Sequence, residues 1–184
     1  NKGMIYNCHV TASLNGYSFI GGLAGLNEGR IELSGTNVKI STATGYAIGG
    51  LVGFNSFEKR RQGYIGSCYS NSEISANEYI GGLVGVNSGN IEASFTIVNI
   101  IGKTFIGGLV GYNYGLNNLS NSELSLYSVR NCYSMGVIYG LPECDFIGGL
   151  IGLHQNLPVA NCYSTCKVIA AENYYIHSLV GGIG

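Results

Sequence analysis

The block Ile65–Ile74 sets the pattern that organises this chain. Cys68, Ser70, Ser72 and Ile74 fall on one side of an alternation, and Tyr69, Asn71 and Glu73 on the other. In the last equivalent block, Lys167 lies on the second side. A period of two predicts a half-buried strand whose inward side is small at its start and aliphatic at its end. The apolar string that alternates with this block reads I-G-G-L-x-G. Its paired glycines disfavour helix by about 1 kcal/mol each.

Both strings recur. I-G-G-L-x-G spans Ile20–Gly25, Ile48–Gly53, Ile80–Gly85, Ile106–Gly111 and Ile147–Gly152, with a degraded sixth copy, I-H-S-L-V-G, from Ile176. The starting isoleucines are 28, 32, 26, 41 and 29 positions apart. Copies of the second string start at Ile5, Ile31, Ile65, Ile91, Val129 and Val159. Three residues on stand Cys8, Ser34, Cys68, Ser94, Cys132 and Cys162, and nine residues on stand Leu14, Ile40, Ile74, Ile100, Ile138 and Val168. Insertions are confined to Ser56–Tyr64, Tyr114–Ser128 and Tyr139–Asp145.

A unit this short cannot bury its own apolar side, and stacking it on its neighbour does. The expected fold is all-β: a right-handed parallel β-helix, or β-solenoid, of about six turns, forming one domain over residues 1–184. Six turns at the strand spacing measure about 29 Å. A β-sandwich explains the residue-by-residue repetition less well. Stacking turns equivalent positions into columns. One holds Phe19, Ala47, Tyr79, Phe105, Phe146 and Tyr175, which suits an aromatic ladder. Another holds Asn27, Asn55, Asn87, Asn113 and His154, placed to bond one another at a turn. Gly29, Gly89 and Gly115 follow, and predict a turn with positive φ.

Composition narrows the function classes. Of 184 residues 30 are Gly, only 10% are charged, and the net charge is −1. That balance offers no electrostatic footprint for nucleic acid. No apolar run is long enough for a membrane-spanning helix, so no membrane insertion is expected. The chain starts at Asn1 and reads as a piece of a longer protein.

The motif Gly22-Leu23-Ala24-Gly25 and its counterparts at 50–53, 82–85, 108–111 and 149–152 resemble the GLUG repeat. That family is found in large secreted or surface-attached bacterial proteins, including regions beside the catalytic part of IgA-specific metallopeptidases. The resemblance implies a solenoid in an extracellular or cell-surface bacterial setting, supporting adhesion or display, and carries over no catalytic residue. The sixth copy departs from it, with His177 and Ser178 in place of the Gly pair. Either the last turn is distorted or those positions are less strict.

Candidate chemistry is sparse. His9, His154 and His177 fall in different columns and none precedes Glu, so no H-E-x-x-H zinc site is present. Glycoside hydrolysis needs two neighbouring carboxylates. Glu32 and Glu92 share a column two repeats apart, roughly 10 Å. Glu143 and Asp145 are close only in sequence, and Glu73 is placed to face Lys39. Gly pairs without a following Asp do not make a calcium site. The exchange of Cys with Ser in one column points to a small buried side chain and free thiols, although Cys132 and Cys162 stand in neighbouring turns. Cys144, in an insertion, is the expected exposed thiol. The basic run Glu58-Lys59-Arg60-Arg61 reads as a solvated loop.

The best binding feature is the outward column of Tyr69, Phe95, Tyr133 and Tyr163, with His9 in the same file. Exposed stacked aromatics suit sugar rings. The expected function is a non-enzymatic repeat region, a stiff spacer or adhesion and display scaffold, with no cofactor and no metal. Its partners would be neighbouring domains of the same chain and a host or cell-surface glycan or protein. The alternatives are a glycan-binding module using the Tyr column and a polysaccharide-active β-helix enzyme.

Overall fold

The computed structural model describes residues 1–58, 61–115, 129–170, 176–177 and 179–183. The chain winds as an all-β solenoid in which each coil lays its strands parallel to those of the next. One ladder runs Met4–Tyr6, Arg30–Glu32, Tyr64–Gly66, Asn90–Glu92, Val129–Arg130 and Val159–Ala160. Six rungs make five complete turns between the first and the last. The ladder ending each I-G-G-L-x-G copy also has six rungs, from Ala24–Asn27 to Val180–Ile183. The antiparallel pair Phe57–Glu58 with Arg61–Gln62 is a small hairpin inside the first insertion. Lys59 and Arg60 of the basic run lie outside the described residues, as does most of the second insertion.

Register follows the sequence blocks without slippage. Ile5, Ile31, Ile65, Ile91, Val129 and Val159 pair in order. So do Leu14, Ile40, Ile74, Ile100, Ile138 and Val168. The leucines of the motif stack by backbone bonds: Leu51 N–H donates to Leu83 O at 3.0 Å and Leu83 N–H to Leu109 O at 3.0 Å. The degraded copy keeps this register, with His177 opposite Gly148 and Leu150 N–H bonded to Leu179 O.

The interior has two apolar columns. One collects Leu51, Leu83, Leu109 and Leu150 with Ile31, Ile65 and Ile91. The other collects Ile40, Ile74 and Ile100 with Ile48, Ile80 and Ile106. A thin polar seam lies where the small inward side chains meet the second glycine of each pair. Thr36 Oγ1 donates to Gly50 O at 3.0 Å, Thr96 Oγ1 to Gly108 O at 2.7 Å and Ser134 Oγ to Gly149 O at 2.7 Å. A Cβ on Gly50 would collide with Ser70 Oγ and the next coil's Gly82 carbonyl. The glycines are thus fixed by close approach, and the buried hydroxyls are satisfied by the carbonyls they bring near.

Two sequence expectations are corrected. Gly29, Gly89 and Gly115 do not carry positive φ; among the described glycines only Gly136 does. Gly29 and Gly89 are required because a Cβ would strike the carbonyl of Gly3 or Gly63 in the preceding coil. Among the described residues the left-handed positions are instead almost all non-glycine, and apart from Glu143 and Asn156 these fall in two columns. One is Asn7, Leu33, Ser67, Ala93, Asn131 and Asn161, and the other is Phe19, Ala47, Tyr79, Phe105 and Phe146. Cys144 is also not an exposed thiol. The third insertion is absorbed into the continuous strand Tyr133–Gly148, with a register shift opposite Gly102–Thr104, and Cys144 packs with Ile138 and Ile147. The exposed cysteine is Cys8.

Candidate functional site

The Asn column forms at the turn that closes each coil. Each side-chain amide donates to the next: Asn27 to Asn55 at 2.8 Å, Asn55 to Asn87 at 2.8 Å and Asn87 to Asn113 at 2.7 Å. Asn1 joins below, and Asn113 meets His154 Nδ1 at 3.1 Å above. The same amides reach the carbonyls of Gly29, Gly63 and Gly89, so these buried groups are saturated. Burial pushes the His154 pKa down, which favours the neutral ring that can accept from Asn113.

The Cys and Ser column does more than fill space. Ser34 Oγ accepts the Cys8 N–H and Ser94 Oγ accepts the Cys68 N–H. Each hydroxyl donates to the carbonyl two residues before it. Cys162 Sγ takes the same place, accepting the Cys132 N–H at 3.4 Å. Serine and cysteine exchange here because both bridge the coils at a left-handed corner. No disulfide joins any of the six cysteines. A side-chain hydrogen bond with Cys162, and then burial, pushes the Cys132 thiol up, and the same bond draws the more exposed Cys162 down to about 7.

The acidic residues are dispersed. Glu32 and Glu92 are separated by Gly66. Glu32 pairs with Arg30, while Glu92 accepts from Arg130 at 2.9 Å and from the Tyr64 hydroxyl at 3.2 Å. Glu73 meets Lys39 at 3.1 Å, as the outward column predicts, and Glu143 meets Lys103 at 3.3 Å. Among the described residues, no three His, Cys, Asp or Glu side chains gather as a metal site.

Two aromatic surfaces are the remaining candidates. The first is the outward column foreseen from the sequence. Tyr69 stacks on Phe95 with centroids 5.6 Å apart, Phe95 on Tyr133 at 5.0 Å and 6°, and Tyr133 on Tyr163 at 5.2 Å and 6°. Gly35 occupies the rung between His9 and Tyr69, and the Tyr69 ring folds over it, 5.9 Å from His9. Tyr163 is 55% exposed. Within this file the faces of the rings are turned to one another, so the flank offers solvent mainly edges and hydroxyls.

The second surface was not recognised as a site from the sequence. It combines the left-handed aromatic column with the outward residues Leu26, Phe54, Val86 and Tyr112 of the adjacent ladder. Its far part is regular: Tyr79 stacks on Phe105 at 4.7 Å, and Phe105 on Phe146 at 5.2 Å. Its near part is interrupted, because Ala47 supplies no ring and Val86 replaces an aromatic. The result is a depression of about 420 Å³ between Phe19, Tyr46 and Phe54 on one side and Tyr79, Tyr112 and Tyr114 on the other, with Glu78 at its rim. Phe54 stacks loosely on Phe19 at 6.3 Å and meets Tyr114 at 6.5 Å. A second depression, of about 590 Å³, shares Phe19, Phe54 and Tyr114 and reaches Glu28. Burial first, then Glu78, raises the Tyr79 pKa; burial first, then Tyr114 and Tyr79, raises that of Tyr112. Both phenols therefore stay protonated at neutral pH and remain hydrogen-bond donors, the Tyr112 hydroxyl bonding Gln155. The sequence signal was Ala47 itself, the one non-aromatic member of its column.

Compared with family models, curated proteins and solved structures, the chain finds no match.

Proposed function

We propose that this chain is a non-catalytic display scaffold from a secreted or surface-attached bacterial protein, the setting that the GLUG resemblance implies. The observation that carries this reading is the parallel stacking of equivalent strands over six rungs, with the repeated blocks in register and the one shift confined to the third insertion. Each coil consumes 26 to 41 residues, measured between successive motif isoleucines. It advances only about 4.8 Å, whereas 26 residues of extended chain would reach roughly 90 Å. A solenoid is therefore a poor way to gain length and an effective way to hold side-chain files at fixed spacing. This favours display over a simple spacer.

The dispersed and paired carboxylates support the non-catalytic part of the reading. Partners would meet the outer files, and adjoining domains of the same protein would be held by the stiff core. The test is surface labelling of intact source cells with an antibody against this chain. The reading expects staining that protease treatment of unbroken cells removes. Detection only after lysis would contradict it.

A further inference from the structure

We propose that the interrupted aromatic wall around Ala47 is a binding site for the pyranose rings of a neutral polysaccharide. This deepens the display reading by naming the ligand, and it fails separately from it.

The first observation is the missing ring. Phe19 and Tyr79 belong to coils two rungs apart, about 9.6 Å along the axis, and the rung between them carries only Ala47. Further along the same file, rings fill every rung at 4.7 and 5.2 Å. Ala47 is itself covered, 1% exposed, and the depression opens beside it among the surrounding rings, with Tyr46 leaning edge-on against Phe19 at 5.1 Å. A sugar ring presents C–H groups on its face and hydroxyls at its rim. It can lie against aromatic carbon while its hydroxyls reach polar groups around the edge.

The second observation is a carboxylate oxygen without an aligned donor. Glu28 lines the adjoining depression, its side chain 10% exposed. Its Oε2 is buried and accepts no hydrogen bond, although the Lys2 ammonium lies 3.4 Å away. Because the ammonium is not in hydrogen-bonding alignment, the oxygen retains capacity for a hydroxyl donor. Glu78 supplies a further acceptor at the rim, and Tyr79 and Tyr112 supply hydroxyls.

These groups also separate ligand classes. Neither depression is lined by Lys or Arg, and the Lys2 ammonium is held against Glu28, so an anionic polysaccharide would meet the acids with no cation of its own. A proline-rich peptide also suits aromatic grooves, but proline has no N–H, so its rings bring no donor to Glu28.

The experiment is titration calorimetry of the full chain with cellohexaose, xylohexaose and mannohexaose, alongside hexagalacturonate and a decaproline peptide. At least one neutral hexasaccharide is expected to bind. Phe54→Ala should weaken it about tenfold or more, the loss of one stacked face. Ala47→Tyr should abolish it by completing the wall. Its left-handed backbone is no obstacle, since Tyr79 holds the equivalent φ of 52°. Tyr133→Ala, on the regular file, should leave binding within twofold. Thermal melts establish that each variant is folded. If Phe54→Ala does not fold, the Ala47→Tyr and Tyr133→Ala pair decides. The proposal is overturned if none of the three neutral sugars binds, if hexagalacturonate or decaproline binds in preference, or if Ala47→Tyr binds as well as the parent.

Discussion

Two aromatic files run along this solenoid, and they differ in what their rings face. In the file of Tyr69, Phe95, Tyr133 and Tyr163, each ring covers the next, with planes within 17° of parallel. In the wall begun by Phe19, a single alanine breaks the sequence of rings and leaves a cavity beside it. Stacking uses the same surface that a ligand would need. A complete file is therefore a structural element first, and an incomplete one leaves aromatic faces available. Exposure of single residues does not separate the two surfaces, since Tyr163 at the end of the regular file is more exposed than Phe19 and Tyr46 beside the notch.

Substitutions in and around the two files test that contrast. The largest effect should come from the core carrying both files. Leu83 is fully buried, and Leu83→Ala should cost about 2–5 kcal/mol in denaturant unfolding. Next comes the Asn ladder. Asn87→Ala removes the acceptor of Asn55 and the donor to Asn113, and should cost about 1–3 kcal/mol. In the regular file, Phe95→Ala removes two stacked neighbours at once, and should cost about 1–3 kcal/mol in the same assay. Ala47 is 1% exposed, so in Ala47→Tyr the gain from a completed wall is offset by displacing the cover over it, and the net change should stay within about 1.5 kcal/mol of zero. If Phe95→Ala is neutral and Ala47→Tyr destabilises strongly, the regular file is not structural and the contrast fails.

The smallest effect is electrostatic and touches neither file. Hydrogen bonding from Arg130 holds the Glu92 carboxyl below its ordinary 4.5. A depressed carboxyl contributes stability that is present above the unfolded value and is lost as pH falls through the folded one. Melting temperature should therefore drop slightly below pH 4.5, and Glu92→Gln should flatten that part of the profile. The pair is exposed, so solvent screening keeps the change small.

The coils and their register were legible because identical strings recur without gaps inside each block, and stacking makes recurrence equivalent to contact. The Asn ladder and the Lys39–Glu73 pair followed directly from that rule. The left-handed corners were not legible. Phe19, Tyr79 and Phe105 are residues that disfavour positive φ, and they hold it where their rings pack on neighbours. Cys144 misled because an insertion suggests a surface loop, whereas the chain continued its strand and turned the thiol inward. The notch was visible as one alanine among aromatics, but its meaning depended on Val86 of the adjacent ladder, which only the fold brings beside it.

Residues of equal rank in successive blocks lie over one another. Lys39 and Asn99 point outward from coils two rungs apart, both paired with Glu73. Spin labels placed at these two positions through an unnatural amino acid give a direct distance by electron paramagnetic resonance. Strong dipolar broadening, consistent with backbones about 10 Å apart, is the expected result. A spectrum without broadening, the sum of the two singly labelled chains, would contradict the stacking on which both aromatic files depend.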